Sequence, residues 1–230
     1  MLNGYDKFCA AFSEFKDSFV VIGGTAVEML RGPNPRFMRT TKDIDMVVMT
    51  PEVNPAFSAR LMQFIRDGKY EPYQGHERPF FYRYMRPKTE GYPWQIEMLT
   101  KSPLPENAEI KYTRISESPD ESLSAMIMDE AYYDFVQSVA VEQNGVRRLS
   151  ALGLVVFKAH AYLNLMDEYS RTGNGIVRSN ALKHRRDVFM LTNEILATES
   201  ISLPAGIAAR MQEFIASFPA TSREWERLAS

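Results

Sequence analysis

Residues 18–45 decide the fold, and their sequence is SFVVIGGTAVEMLRGPNPRFMRTTKDID. The apolar run at residues 19–22 predicts a short buried strand, and residues 26–30 have a helix-forming composition. Between them lie Gly23 and Gly24. A strand that passes through glycine into a helix leaves free backbone N–H groups at the helix start, where a phosphate binds well. The missing β-carbons let that phosphate approach closely.

Two acidic residues, Asp43 and Asp45, open the next apolar run, at residues 46–49. Side chains alternate along a strand, so both carboxylates share one face while Ile44 points to the other. Adjacent carboxylates repel each other, and a divalent cation relieves that repulsion. A phosphate cradle beside a metal-binding pair indicates metal-assisted phosphoryl chemistry. Two incidental acids on a solvent-facing strand are the alternative.

A third acid, Glu97, lies inside the strand-like segment Gln-Ile-Glu-Met-Leu at residues 95–99. Ile96 and Met98 would share the face opposite to it. Acidic residues are depleted within strands, so this position also indicates a function. The aromatic segment at residues 79–86 predicts a neighbouring strand, which makes an exposed glutamate on a hairpin the alternative for Glu97.

Composition limits the class of protein. The chain has 230 residues, of which 45% are hydrophobic, enough for one core or for a core with a helical appendage. Its net charge of −2 gives no global basic field, so any RNA contact needs a local patch. The single cysteine, Cys9, fits a reducing compartment. Because no signal-peptide pattern or bilayer-length apolar run is visible, we expect a cytoplasmic protein without membrane contact.

The periodicity of apolar residues predicts an α+β fold with two parts. A small mixed β-sheet flanked by helices is expected at residues 1–118, and a mainly helical region at residues 119–230. Residues 101–122, rich in Lys, Pro, Glu and Ser, mark the transition. Within the second part, Asn144-Gly145 predicts a tight turn between strands. The predicted elements around and after it are strands at 135–141 and 146–149, helices at 151–168, 181–196 and 205–218, and a loop at 170–180.

The glycine and acid motifs together resemble the signature of the DNA polymerase β-like nucleotidyltransferase superfamily. Gly-Gly-Thr-Ala at residues 23–26 and Arg-Thr-Thr-Lys-Asp-Ile-Asp at residues 39–45 are most similar to the AbiEii branch, toxins of type IV toxin–antitoxin and abortive-infection systems. The gap between the motifs is longer than in the general pattern, and AbiEii proteins commonly fill it with a longer helix and an arginine-bearing loop. The resemblance implies a nucleotidyltransferase fold and transfer of NMP from an NTP to an acceptor hydroxyl. It also implies that the helical region contributes to the active-site cleft.

The resemblance also implies roles for individual residues. Asp43, Asp45 and Glu97 would be the catalytic residues and the ligands of two Mg²⁺ ions, with Glu97 as the base. AbiEii proteins often have Asp at the place of Glu97, so this chain departs from the pattern there. The implied nucleotide-binding residues are Gly23, Gly24, Thr25, Arg39, Thr41, Lys158 and Asp187. For the loop residues among them a solvated loop is the alternative.

Lys158 is a lone lysine in the apolar helical segment Leu-Val-Val-Phe-Lys at residues 154–158. A buried ammonium is costly unless an anion meets it, so a triphosphate would be a suitable partner. AbiEii proteins carry a lysine on the corresponding helix and a Lys-x-x-x-Asp motif, which Lys183 and Asp187 match. Asp187 would therefore orient Lys158 or contact the nucleotide. A cationic helix face with one salt bridge is the alternative.

The acceptor is less defined than the reaction. The resemblance favours a phage-defence toxin that acts on RNA such as tRNA and has a cognate antitoxin as partner. A small-molecule nucleotidyltransferase of the aminoglycoside-modifying type is an alternative, and an acidic pocket beyond the aspartates would favour it. An inactive nucleotide-binding or partner-binding module is another. RNA would be favoured by a basic groove formed by Arg147, Arg148, Lys183, Arg185 and Arg186.

Overall fold

The computed structural model describes residues 4–32, 41–49, 55–74, 79–101, 112–115, 124–219 and 221–226. The chain divides into two compact units, Met1–Leu149 and Ser150–Ser230. The first combines a mixed sheet with helices and the second is helical, which confirms the predicted α+β class. The division falls later than the predicted boundary after residue 118, because strands near residue 149 belong to the sheet.

The first unit contains four α-helices and nine strands within the described residues. The helices are α1 (Tyr5–Phe12), α2 (Gly23–Arg31), α3 (Pro55–Gly68) and α4 (Glu130–Val139), and a 3₁₀ helix at Ser13–Ser18 follows α1. The strands are β1 (Phe19–Ile22), β2 (Asp43–Val48), β3 (Glu71–Gln74), β4 (Pro79–Met85), β5 (Gln95–Lys101), β6 (Tyr112–Arg114), β7 (Ser124–Met128), β8 (Ala140–Gln143) and β9 (Val146–Leu149).

Strand β2 lies in the middle of the sheet, whose order is β3-β4-β5-β2-β1-β9-β8. It pairs antiparallel with β1 and parallel with β5. Strand β4 pairs with the first half of β5, and β7 pairs with its second half. Strand β6 pairs in turn with β7. Strand β9 pairs parallel with β1, along the edge of β1 that faces away from β2.

One face of β2 is buried under α1 and α3. Ile44 and Met46 on this face are 1% and 0% exposed. Phe19 of β1 lies opposite Val48 and so shares the face, and its ring contacts those of Phe12 and Phe57 with centroids 6.0 and 5.8 Å apart. Aromatic packing of this kind adds to the free energy of burial. The aspartates of β2 therefore lie on the opposite face.

The predicted turn at Asn144-Gly145 joins β8 and β9. Both residues have positive φ, 54° and 77°, as a tight primed hairpin turn requires. The strand predicted at residues 135–141 is wrong over its first part, since α4 continues to Val139. Asp129 caps this helix by accepting a hydrogen bond of 3.2 Å from the Tyr132 N–H, which stabilises helix over strand.

The second unit contains α5 (Ala151–Thr172), α6 (Gly175–Leu191), α7 (Ala205–Ser217) and α8 (Arg223–Glu226). Ser150 caps α5 as the sequence suggests, accepting from the Gly153 N–H at 3.2 Å. The loop predicted at residues 170–180 is wrong over most of its length. Helix α5 ends at Thr172, Gly173 follows it in the left-handed conformation, and the Asn174 side chain already caps α6. No helix in the described ranges combines the length and apolar character needed to cross a membrane.

Candidate active site

The turn from β1 into α2 brings Asp45 to the start of a helix. Helix α2 begins at Gly23, whose φ of +69° is in the left-handed region that favours glycine. A β-carbon on Gly23 would lie 2.3 Å from Oδ2 of Asp45, so only glycine lets the carboxylate come this close. The first turn of a helix also carries unpaired N–H groups and a partial positive charge. This end of the sheet therefore suits anionic groups.

The residue alternation of β2 places Asp43 and Asp45 on the same face, half-buried, with Ile44 buried on the other. Parallel pairing puts Asp43 opposite Gln95 and Asp45 opposite Glu97 of β5. The three predicted acids are thus brought onto adjoining strands and onto one face of the sheet. Like charges opposite each other in a sheet are destabilising unless a cation offsets them.

Asp43 is poorly satisfied by the protein. Its Oδ1 is buried and accepts no hydrogen bond from any residue in the described ranges. Burial raises the pKa of Asp43 above its ordinary value, the negative charge of Glu97 raises it further, and the charges of Arg83 and Lys42 lower it in part. A buried acceptor that lacks a donor costs free energy in the folded state. A bound metal cation would provide the partner that this carboxylate oxygen lacks among the described residues.

Glu97 is held by protein donors. Arg83 of β4 lies directly opposite it, donating from Nε to Oε2 at 3.1 Å and from Nη2 to Oε1 at 2.8 Å. The Gln95 amide also donates to Oε2, at 3.3 Å. The sequence motifs miss Arg83, although a charged residue in the aromatic segment at 79–86 is the same kind of signal as Glu97 in its apolar strand.

Divalent cations take oxygen ligands, and the carboxylates of Asp43 and Asp45 supply them on one face. The unsatisfied Oδ1 of Asp43 also fits a bound cation. In the part of the chain that the structure describes, no group of three or more His, Cys, Asp or Glu side chains is arranged to hold a metal ion. The fit to a cation therefore depends on the aspartates, since both oxygens of Glu97 are directed to Arg83.

The two threonines differ in what they contact. Thr25 is fully buried and its hydroxyl donates to the backbone carbonyl of Asp43, so it ties α2 to the start of β2. The Thr41 N–H donates to the Glu28 carboxylate at 3.1 Å. A β-carbon on Gly24 would lie 3.0 Å from the Thr41 hydroxyl, which places this hydroxyl beside the first turn of α2. Arg39 lies outside the described residues.

In the second unit, Lys158 and Asp187 form the pair that the sequence suggests. Nζ of Lys158 lies 2.8 Å from Oδ2 of Asp187, and the two side chains are 8% and 15% exposed. Helices α5 and α6 supply one partner each. An ion pair with so little solvent contact costs desolvation that a good geometry only partly offsets, so it is weak support for a purely stabilising role.

Comparison with known proteins identifies the family of this chain. Residues 8–214 match the sequence model of the family described as nucleotidyl transferase AbiEii toxin, type IV TA system. The chain belongs to this family. The matched range spans the glycines, the aspartates, Glu97, Lys158 and Asp187, and the match confirms the resemblance inferred from the motifs. AbiEii membership makes the chain a nucleotidyltransferase toxin by family and implies an NTP as substrate.

Two further comparisons add little to the AbiEii assignment. The chain is similar to the crystal structure of an antigenic nucleotidyltransferase-like protein from Paracoccidioides brasiliensis, with 14% identity and a TM-score of 0.46. That alignment covers 97% of this chain and 94% of the other. No curated protein gives a significant match.

Gly23→Ala is expected to destabilise the AbiEii chain by about 1–3 kcal/mol more than Gly91→Ala. Both positions have positive φ, but a β-carbon at Gly23 overlaps Asp45, whereas at Gly91 its nearest neighbour is Nζ of Lys7 at 3.7 Å. Urea unfolding of the two variants and the wild type measures the difference. Equal losses would contradict the close approach of Asp45.

Asp43→Asn is expected to raise the melting temperature of metal-free protein by about 2 °C at pH 7. The raised pKa of Asp43 means that the folded chain binds a proton more readily than the unfolded chain. The free energy of unfolding therefore falls as the pH rises above about 3.9, the pKa of an aspartate in the unfolded chain. Below that pH the increase in melting temperature from Asn vanishes. Melting curves in chelator from pH 3.5 to 8 test this, with the exposed Glu90→Gln as control. A lower melting temperature at pH 7 would sink the prediction.

Proposed function

We propose that this AbiEii protein transfers NMP from an NTP to a hydroxyl of RNA, with two Mg²⁺ ions held by Asp43 and Asp45. The observation that carries the proposal is the register of the sheet. It places both aspartates on one face with Glu97, and the Asp45 carboxylate also lies at the start of α2. Carboxylates next to a helix N-terminus combine a cation site with a phosphate site.

The chemistry of the donor set supports magnesium. Asp43 and Asp45 provide hard oxygen ligands, and Oδ1 of Asp43 is buried without a donor among the described residues. Asp43 and Asp45 would hold the ions, whose positive charge would offset the negative charge of the triphosphate and lower the pKa of the acceptor hydroxyl. In this assignment Glu97 accepts the proton of that hydroxyl, as the family resemblance implies.

The rest of the reaction falls to groups that bind the nucleotide. The acceptor oxygen forms a bond to the α-phosphorus, the bond to the β-phosphate oxygen breaks, and pyrophosphate leaves. Backbone N–H groups at Gly23 and Gly24 bind the phosphates at the start of α2. Thr41 and Arg39 contact the nucleotide. Thr25 acts through Asp43, since its hydroxyl is already used by the Asp43 carbonyl.

The choice of RNA as acceptor depends on exposed positive charge in the second unit. Lys183 and Arg186 are exposed on α6. Two other residues of the expected basic groove are engaged: Arg148 is buried and donates to Gln143, and Arg185 pairs with Glu224 at 3.4 Å. The proposed RNA-binding surface therefore has fewer exposed basic residues than the sequence suggests.

The remaining parts of the proposal come from the family. We also propose a cytoplasmic location, a cognate antitoxin as partner and a role in phage defence, and the description of the family as a type IV toxin–antitoxin system supports the antitoxin. A tRNA 3′ end is the proposed acceptor because the family resemblance favours it, and like other RNA 3′ ends it offers a free ribose hydroxyl.

The test incubates purified protein with Mg²⁺, each labelled NTP in turn, and total bacterial RNA. We expect one NTP to label a tRNA-sized band, and Asp43→Asn with Asp45→Asn to reduce that label by at least about 10³-fold. Glu90→Gln is the control that removes an exposed carboxylate. Unchanged labelling in the double variant would overturn the proposed metal site, and labelling of a small acceptor alone would overturn RNA as the substrate.

The Lys158–Asp187 pair is expected to contribute to NTP binding. Lys158→Met or Asp187→Leu alone leaves one buried charge and should destabilise the protein by about 3 kcal/mol, whereas the double replacement should be close to neutral. The folded double variant should bind NTP at least about tenfold more weakly, because the cation has been removed. Urea unfolding and calorimetric titration with NTP measure the two effects. Wild-type affinity in the double variant would leave the pair only a structural role.

A further inference from the structure

Arg83 is a basic residue on the acidic face of the sheet, and no role follows for it from the sequence motifs. Register places Asp45, Glu97 and Arg83 in one row across β2, β5 and β4. Glu97 therefore has a like charge on one side and an opposite charge on the other. Cross-strand neighbours of opposite charge attract and those of like charge repel, so the row pulls Glu97 towards Arg83.

The contact between the two side chains is a two-point fork. Nε and Nη2 of Arg83 reach separate oxygens of the Glu97 carboxylate, at 3.1 and 2.8 Å. A planar guanidinium matches a carboxylate in this geometry, and such bidentate pairs are the strongest of the charge-assisted hydrogen bonds. The Gln95 amide adds a third donor. Protein donors thus engage both oxygens of Glu97.

Aromatic rings hold the guanidinium in place. Cζ of Arg83 lies 5.1 Å from the ring centroid of Tyr73 and 5.6 Å from that of Tyr82. The Arg83 side chain is 28% exposed and that of Glu97 only 12% exposed. Limited solvent access strengthens the attraction between the two charges. The planar guanidinium is also pre-organised, so less entropy is lost in forming the fork. The fork is therefore an ordered feature of the chain without a cation.

The fork competes with the role of metal ligand that the family resemblance implies for Glu97. A carboxylate that ligates a cation does so through oxygen lone pairs, and those of Glu97 already accept from three N–H groups. Asp43, by contrast, keeps one buried oxygen without a donor among the described residues. The face thus contains a carboxylate that is open to a cation and one that is occupied by the protein.

We propose that Arg83 is a positioning residue that competes with a divalent cation for Glu97. Without the cation, the guanidinium fork holds Glu97 beside Asp45 and offsets one of the three negative charges. Glu97 becomes a ligand only when the fork opens, so Arg83 weakens cation binding to the acidic face. This inference rests on the proposed function, because it assumes that Asp43 and Asp45 bind the cation.

A double-mutant cycle tests the competition without measuring catalysis. Wild type, Arg83→Gln, Glu97→Gln and the double variant are each titrated with Mn²⁺ by calorimetry in the absence of nucleotide. Arg83→Gln should bind Mn²⁺ about tenfold more tightly than wild type, since a nearby positive charge is lost and a carboxylate is freed. Most of this gain should disappear in the Glu97→Gln background. Arg86→Gln, which removes an exposed arginine just after β4, should leave the affinity unchanged.

The outcomes separate the inference from the function on which it rests. Unchanged or weaker Mn²⁺ binding in Arg83→Gln overturns the competition while leaving the aspartate site intact. A gain of equal size with and without Glu97 also overturns it, because the effect would come from the field of the guanidinium alone. Wild-type protein whose Mn²⁺ binding is absent or insensitive to Asp43→Asn overturns both proposals.

Stability provides a second readout. Because Arg83→Gln leaves three acids on one face, it should lower the melting temperature in chelator, and Mn²⁺ should raise it by more than in wild type. Should Arg83→Gln fail to fold, Arg83→Lys replaces it in the titration, since lysine keeps the charge but cannot hold both oxygens. A smaller gain in Mn²⁺ affinity is then expected, and no gain overturns the proposal.

Discussion

The structure depends on a single constraint on β2. This strand is paired along both edges, by β1 and β5, and its inward face is buried under the phenylalanine cluster of α1 and α3. A shift of one residue would bury two aspartates and expose Ile44 and Met46, which makes the register very costly to change. Core packing on one face therefore fixes the positions of the acids on the other.

The glycine turn at the start of α2 also contacts β2. Gly23 allows Asp45 to lie against the start of α2, while Thr25 binds the Asp43 carbonyl from within the helix. Both contacts join α2 to β2 near the acids. The Gly-Gly-Thr segment thus contributes to this end of the sheet twice, by leaving space for the Asp45 carboxylate and by tying α2 to the strand that bears the acids.

Local patterns in the sequence were sufficient for the strand, glycine turn, helix and alternating acids, because each is set by neighbouring residues. The partner of Glu97 was not predictable in this way. It depends on how β4 pairs with β5, and Arg83 meets Glu97 only through that register. Helix α4 was missed for a different reason: its apolar residues fit a strand as well as a helix, and the Asp129 cap decides between them. The family resemblance named Lys158 and Asp187, and the packing of α5 and α6 joins them.

The position of β9 affects when this site can form. Strand β1 lies between β2 and β9, so its second edge stays unpaired until Val146–Leu149 is present. A ribosome adds residues in order, and parallel pairing across such a long stretch of chain is slow. During synthesis the aspartates are therefore made long before the sheet that holds them can close. The acidic face of this chain becomes part of a closed sheet only after Leu149 has left the ribosome.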